Sequence, residues 1–314
     1  MIAKMYRKMQ EKALKTLRQL GLEKTVRECY KHSIQLEIIW RAKKTFQDDK
    51  KCVKDIGDCV LAVKRFNRGI DKDIWLQSAR EEASTNLLES EIQEGMFCID
   101  IGSNIGYYAV KESVLAGKAG RVLAVEPLQS CFDRLEQNIE RNELGNVETL
   151  NLAIAESDSG KEMLIRDEKN ISRILNDSER REYREVKQVE SKKLVQVVKG
   201  KPDFIRMDLE GFESVLIPQI DDLDVENLKL FLEVHPDKVQ DRYGMRPLDF
   251  WRELSELGFR LKYVIRHDIL KPSYFLRRKH PPRKVEKVDL EVEKALEQGT
   301  VPNPGRPYRV FLEK

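Results

Sequence analysis

The stretch Met96-Phe-Cys-Ile-Asp-Ile-Gly-Ser-Asn-Ile-Gly106 decides how this chain is read. Met96 to Ile101 is a run that is apolar but for Asp100, the pattern of a strand covered on both faces. Gly102 and Gly106 then mark a turn, and Tyr107 to Leu115 reads as a helix. A turn of this kind lies beyond the carboxyl end of its strand, where open α/β sheets bind their ligands. Glycine lets a ligand approach the backbone without a Cβ in the way. The first helical turn offers N–H groups that suit a carboxylate.

The same alternation extends outward. Arg121-Val-Leu-Ala-Val-Glu126 reads as a second strand. Leu128 to Asn142 reads as a helix with Cys131, Leu135 and Ile139 four apart, and Val147 to Ala153 as a third strand. Asp203 to Asp208, Lys229 to His235, Arg260 to Ile265 and Tyr308 to Leu312 are further strands, with a helix from Pro247 to Leu257. Strands alternating with helices imply parallel βαβ units with right-handed crossovers, an α/β fold. Residues 52–80 read as a hairpin or lid, with Val60 to Val63 and Ile70 to Trp75 flanking Arg68-Gly69. Residues 155–200 read as an irregular, charge-rich insertion, and 271–306 as a long loop with a short helix. The first fifty residues read as a helical extension, with Leu14, Leu17, Leu20 and Leu22 near one face and lysines and arginines on the other. The expected division is an extension and lid over 1–80 and a ligand-binding domain over 81–314.

Composition narrows the classes. With 40% hydrophobic residues in 314, a sizeable core can form. Charged residues reach 35%, yet the net charge is only +3, which gives no global case for nucleic-acid binding. Cys29, Cys52, Cys59, Cys98 and Cys131 form no C-x-x-C pair, so reduced thiols in a cytoplasmic protein are expected rather than a zinc knuckle or a disulfide framework. No apolar run approaches the roughly 20 residues of a membrane helix, and the start carries no apolar signal region.

The glycine turn is best read together with Glu126. A carboxylate closing the second strand can accept hydrogen bonds from both hydroxyls of a ribose, donors that are costly to bury unpaired. Pro127 stops the strand and helps aim that side chain. A nicotinamide dinucleotide fingerprint would need glycine at 104, which is asparagine, and no Walker A loop is present. The spacing D-x-G-x-x-x-G, with an acid at the end of the next strand, points instead to S-adenosylmethionine.

Four segments together resemble the FkbM family of methyltransferases: Phe97-Cys-Ile-Asp-Ile-Gly-Ser-Asn-Ile-Gly-Tyr-Tyr108, Ala124-Val-Glu-Pro127, Ile205-Arg-Met-Asp-Leu-Glu-Gly-Phe-Glu213 and Leu232-Glu-Val-His-Pro236. The resemblance spans residues 70–265 and implies a Rossmann-like class I methyltransferase fold, a mostly parallel seven-stranded sheet with helices on both faces. It implies methyl transfer from S-adenosylmethionine, often to a hydroxyl of a sugar or natural product. Carried over by position, Asp100, Gly102, Ser103, Asn104 and Gly106 line the methionine part of the cofactor, Glu126 holds the ribose, and Ala153 and Ile154 flank the adenine. Many family members read I-D-V-E-G in the second motif, with lysine before it. Here it is Arg206-Met-Asp-Leu-Glu-Gly211, which keeps both acids.

Asp208, Glu210, Glu233 and His235 lie at or just past the carboxyl ends of two strands and are expected to converge near the transferred methyl. A hydroxyl is a weak nucleophile at neutral pH, so a general base is expected. His235 is the first candidate because its unperturbed pKa lies near neutrality, while Asp208 would contact the cofactor amine or the acceptor. Competing readings are that Glu-x-His-Pro is a turn whose histidine caps a helix and that Glu210 and Glu213 accept N–H groups at a helix start. A divalent cation held by Asp208, Glu210 and Glu233 is a further alternative, although no metal is expected. The expected acceptor is a small molecule or glycan. Two alternatives remain open. One is RNA or another macromolecule, held by the basic N-terminal helix and by Arg277-Arg-Lys-His-Pro-Pro-Arg-Lys284. The other is a non-catalytic binding protein of the same fold.

Overall fold

The computed structural model describes residues 51–64, 70–77, 81–156, 161–166, 171–174, 186–209, 211–266, 284–300 and 307–314. Residues 1–50, where the sequence reads as a helical extension, Arg68-Gly69, Glu210 and the basic residues 277–283 lie outside them.

The described chain opens with strands β1 (Lys51–Asp55) and β2 (Val60–Lys64) and helices α1 (Ile70–Gln77) and α2 (Glu82–Glu91). Then come β3 (Phe97–Ile101), α3 (Tyr107–Ala116), β4 (Arg121–Val125), α4 (Gln129–Arg141) and β5 (Val147–Leu150). A middle section holds β6 (Ala153–Ile154), β7 (Lys161–Arg166), β8 (Ile171–Ile174), β9 (Val186–Val189), β10 (Ser191–Lys192) and α5 (Leu194–Val197). The last section holds β11 (Phe204–Met207), α6 (Glu213–Leu216), β12 (Lys229–Val234), α7 (Pro236–Tyr243) and α8 (Pro247–Glu256). It ends with β13 (Arg260–Arg266), β14 (Lys284–Glu291), α9 (Val292–Glu297) and β15 (Tyr308–Glu313).

The central sheet has the order β14-β13-β15-β12-β11-β3-β4-β5. Its five strands from β5 to β12 are parallel, as buried apolar runs joined by helices require. β15 runs antiparallel between β12 and β13. From β3 the chain moves outward one way to β4 and β5, and returns on the other side of β3 as β11 and β12. The turn after β3 therefore sits where the strand order reverses, the natural crevice of such a sheet.

Four sequence expectations are corrected. The sheet has eight strands rather than seven, the extra one being β14, which lies in the segment read as a loop. β14 is an edge strand rich in charge and only half covered, so it lacks a buried strand's apolar run. The hairpin partner of β2 is β1, while Ile70 to Gln77 is helical. The turn between β1 and β2 is set by Gly57, at φ 105°, whose N–H donates to Asp55 Oδ1 at 2.8 Å. The third strand ends at Leu150, where the Asn151 carboxamide turns back to donate to the Glu126 carbonyl at 2.9 Å. The insertion over 155–200 is more regular than read, with β8, β7 and β9 forming an antiparallel sheet of their own.

Two apolar layers enclose the central sheet. One holds Ile99, Ile205, Leu230, Leu232 and Trp251. The other holds Cys98, Phe204, Phe231 and Phe311 with residues of α3, α4 and the hairpin, Leu61 and Val63 among them. Among the described residues, no helix is long and apolar enough to cross a membrane.

Candidate active site

The site follows from strand alternation. Along β3, β11, β12 and β15 successive side chains point to opposite faces. Ile99 and Ile101, Ile205 and Met207, Leu230 and Leu232, and Val310 and Leu312 fill one apolar layer. On the other face Asp100 pairs across the strands with Arg206, Arg206 with Phe231, and Phe231 with Phe311. One step nearer the carboxyl ends that face carries Glu233, directly opposite Arg309. Met207 pairs with Leu232, so Asp208, just past the end of β11, lies beside Glu233 of β12.

The glycine turn is bound tightly to these strand ends. Gly102 and Ser103 donate their N–H groups to the Val125 carbonyl at 2.9 and 3.1 Å. The N–H of Asn104 donates to Glu126 Oε2 at 2.8 Å, and that of Leu128 to Oε1 at 2.9 Å. Burial pushes the Glu126 carboxyl up, these two N–H groups partly oppose it, and the net value is about 7. Gly102 sits at φ 85°, and a Cβ there would lie 3.0 Å from the Asp208 carbonyl oxygen. At Gly106 a Cβ would lie 2.7 Å from Leu135 Cδ1. Both glycines are therefore required by the chain's own packing, whereas the sequence suggested room for a ligand. Ser103 turns inward, its hydroxyl donating to the Asp100 carbonyl at 2.7 Å, so that side chain shapes the turn rather than facing outward.

Arg206 ties the two motifs together. Its Nη1 donates to Asp100 Oδ1 at 2.8 Å and its Nη2 to Asp208 Oδ2 at 3.3 Å, and its guanidinium lies 3.9 Å from the Tyr108 ring centre. Burial works against this cation, but Asp100 and Asp208 hold its pKa above the usual range. Near Asp100 lies the fully buried Glu112, whose carboxyl is raised well above the usual range by burial and the Asp100 charge, with Arg206 opposing. Asp100 Oδ2 and Asn104 Oδ1 are buried acceptors with no hydrogen-bond partner among the described residues. Buried acceptors of this kind call for a donor beyond the described residues. S-adenosylmethionine carries an ammonium and two ribose hydroxyls, so the residues present fit it. Ala153 and Ile154 are buried in β6, with the Ala153 N–H donating to the Glu190 carbonyl at 2.9 Å.

The acids beyond the strands have distinct environments. Glu233 is bound by the Arg309 guanidinium, which also reaches Glu81 Oε1 at 2.7 Å. Burial raises the Glu233 carboxyl, Arg309 lowers it, Asp208 and Glu81 raise it, and the result is about 7. His235 Nδ1 lies 3.2 Å from the Glu233 carbonyl and 3.8 Å from Glu213 Oε1. Burial lowers the imidazole pKa, but the neighbouring Glu213 carboxylate, with Asp208 and Glu233, pushes it up to about 9. The ring is therefore protonated at neutral pH, not the neutral base that its ordinary pKa suggests. Glu213 also accepts the N–H groups of Leu209 at 2.6 Å and Gly211 at 2.8 Å, as read for a helix start. Asp208, Glu213 and His235 place ligand atoms within 4.8 Å of one another. Both Glu213 oxygens accept N–H donors, however, Asp208 is shared with Arg206, and His235 lies against Glu213, so these groups already have partners within the chain. Glu210 lies outside the described residues. Sequence reading missed the parts played by Arg206, Arg309 and Glu81. For the two arginines a signal existed, because a charge set alternately within an apolar strand must find a partner.

A family model described as "Methyltransferase FkbM domain" matches residues 100–261, just over half of the chain. A protein-L-isoaspartate O-methyltransferase of Methanococcoides burtonii is 40% identical over 57 residues, 18% of this chain and 28% of that relative. Among solved structures, an S-adenosylmethionine-dependent O-methyltransferase of Thermotoga maritima is 13% identical with a TM-score of 0.42, covering 77% of this chain and 69% of that one. An rRNA methylase of Streptococcus thermophilus is 11% identical with a TM-score of 0.42, covering 75% of this chain and 96% of that one.

Proposed function

The chain belongs to the FkbM methyltransferase family, and from that premise we propose that it transfers a methyl group from S-adenosylmethionine to a hydroxyl of a sugar or small molecule. The observation that carries this reading is the joining of three parts at one sheet edge. The glycine turn is bonded to Glu126, and the same turn touches the Asp208 backbone beside Glu233. Asp100 and Asn104 offer their unmatched acceptors to the ammonium end of the cofactor, Glu126 takes the ribose, and Ala153 and Ile154 flank the adenine. When bound, the cofactor supplies an activated methyl on a sulfonium centre.

The charge balance supports a cationic ligand. Around the strand ends Asp100, Asp208, Glu233 and Glu81 face Arg206 and Arg309, while Glu213 and His235 balance each other. Carboxylates are in excess, which favours a sulfonium in this poorly solvated place. Glu233 takes the acceptor's proton: it stands at the mouth of the site, its side chain is 12% exposed, and its pKa of about 7 suits a general base. Asp208 stands beside it and orients the acceptor hydroxyl. His235, whose protonated form the Glu213 carboxylate favours, keeps a positive charge near both acids. The basic segments that would favour RNA, residues 1–50 and 277–283, lie outside the described residues.

A transfer assay with methyl-labelled cofactor against glycan, small-molecule, protein and RNA fractions tests this reading. Label in a product stable to mild alkali, as a methyl ether is, and lost with Glu233→Gln, supports it. Label confined to RNA, or to an alkali-labile methyl ester, overturns it.

A further inference from the structure

The charged row of the sheet ends in a group that methyl transfer as described does not use. Arg309 lies near the start of β15, directly opposite Glu233, and is only 2% exposed. Its guanidinium bridges Glu233 and Glu81. Glu81 precedes α2 at φ 55°, a left-handed conformation that a residue with a side chain keeps only where its surroundings impose it. Those surroundings are visible. The second Glu81 oxygen accepts the Tyr108 hydroxyl at 2.6 Å, and the Tyr108 ring faces the Arg206 guanidinium that holds Asp208. Asp208, Arg206, Tyr108, Glu81, Arg309 and Glu233 thus form a chain of contacts whose two ends are the neighbouring acids of the site. Glu81 and Arg309 both lie outside residues 100–261, one on each flank.

Stability alone does not call for this arrangement. A buried cation between two carboxylates is costly to desolvate, and an apolar cluster would join the same strands at least as well. We propose that Arg309 and Glu81 are positioning residues for Glu233: Arg309, fixed by Glu81, aims the Glu233 carboxylate at the acceptor and keeps it beside Asp208. This assignment rests on the reading of Glu233 as the group that takes the acceptor's proton.

The charges facing Glu233 make the assignment testable. Arg309 faces it from β15, Asp208 from the end of β11 and Glu81 from the start of α2. His235 follows just past the end of Glu233's own strand, and Tyr108 stands beside Arg309. Arg309 and His235 favour the ionised carboxylate, and Asp208 and Glu81 disfavour it. Removing Arg309 and removing Glu81 must therefore move the titration of Glu233 in opposite directions, and both must lower kcat while leaving S-adenosylmethionine affinity in place, a split that a purely structural brace would not give.

The measurement is carboxyl NMR of full-length protein labelled at the glutamate δ-carbon, with S-adenosylhomocysteine added and the Glu233 signal assigned by its loss in Glu233→Gln. With Arg309→Met the midpoint moves up by about one unit or more. With Glu81→Gln it moves down. Shifts of the same sign, or none, overturn the assignment. Should Arg309→Met fail to fold, Glu81→Gln still decides, because a midpoint that stays or rises overturns it. Methyl transfer is measured separately on the acceptor found in the screen above. Full turnover in Glu233→Gln sinks the base reading, whereas lost turnover in Glu233→Gln with unmoved midpoints sinks only the positioning role.

Discussion

The two faces of the central sheet are built from the same strands and do opposite work. On one face Ile99, Ile101, Ile205, Met207, Leu230, Leu232, Val310 and Leu312 are all at most 2% exposed and entirely apolar. On the other, Asp100, Arg206 and Arg309 are nearly as deeply buried, yet charged. Buried charge is tolerated only when paired, so each charge on this face is answered across the strands by another. One residue of register separates the layer that holds the sheet together from the layer that faces the ligand.

The largest expected effect comes from breaking the charged layer. Arg206→Met leaves Asp100 and Asp208 without their shared cation and should cost about 3 to 5 kcal/mol. Adding Asp100→Asn should restore part of the stability in a denaturant titration while leaving cofactor affinity low. On the apolar face, Leu232→Ala at a fully buried site should cost about 2 to 5 kcal/mol. That variant, assayed well below its melting temperature, should bind S-adenosylmethionine as the wild type does. Equal loss of affinity in both would mean that the faces are not separable.

The charged face also sets how stability depends on pH. Glu126 and Glu233 have folded pKa values raised from 4.5 to about 7. Both bind protons more tightly when folded, so the stability they allow falls as pH rises from 4.5 to 7. His235 is raised from 6.5 to about 9. Its contribution is fully present below 6.5 and lost as pH rises through 9. The apolar face carries no such dependence. Stability should decline from acid to alkaline pH, and His235→Gln should flatten the alkaline half by an amount on the order of 3 kcal/mol. An unchanged slope in His235→Gln would mean that the Glu213–His235 pair does not control it.

This division explains what could be read in advance. The apolar face is periodic, so Phe97–Ile101, Arg121–Val125, Phe204–Met207 and Lys229–Val234 were legible as strands to within a residue or two. The turn at Gly102 and the acids at 126, 208 and 233 were legible as a group because strand ends collect at one sheet edge. β14 was not, because an edge strand half open to water has no continuous apolar run. Nor was the part of Glu81, since nothing local announces which residue an N-terminal segment will lay across the mouth of a distant strand. His235 was found at its expected place, but its protonation depends on Glu213, whose approach only the tertiary fold defines.

Asn104 sharpens the comparison at its smallest scale. It sits at φ 53°, with its N–H committed to Glu126 and its buried Oδ1 unmatched within the described chain. A residue kept in a left-handed turn for the fold alone would be better as glycine, which adopts that conformation without strain. Asn104→Gly should therefore melt no lower than the wild type, because the backbone bond to Glu126 survives and the strain does not. It should weaken S-adenosylmethionine binding by roughly threefold to tenfold, the worth of one hydrogen bond of about 0.5 to 1.5 kcal/mol. Calorimetry of both quantities decides the matter. If stability falls while affinity holds, the asparagine serves the turn, and the boundary between scaffold and site runs through the side chain of Glu126 rather than that of Asn104.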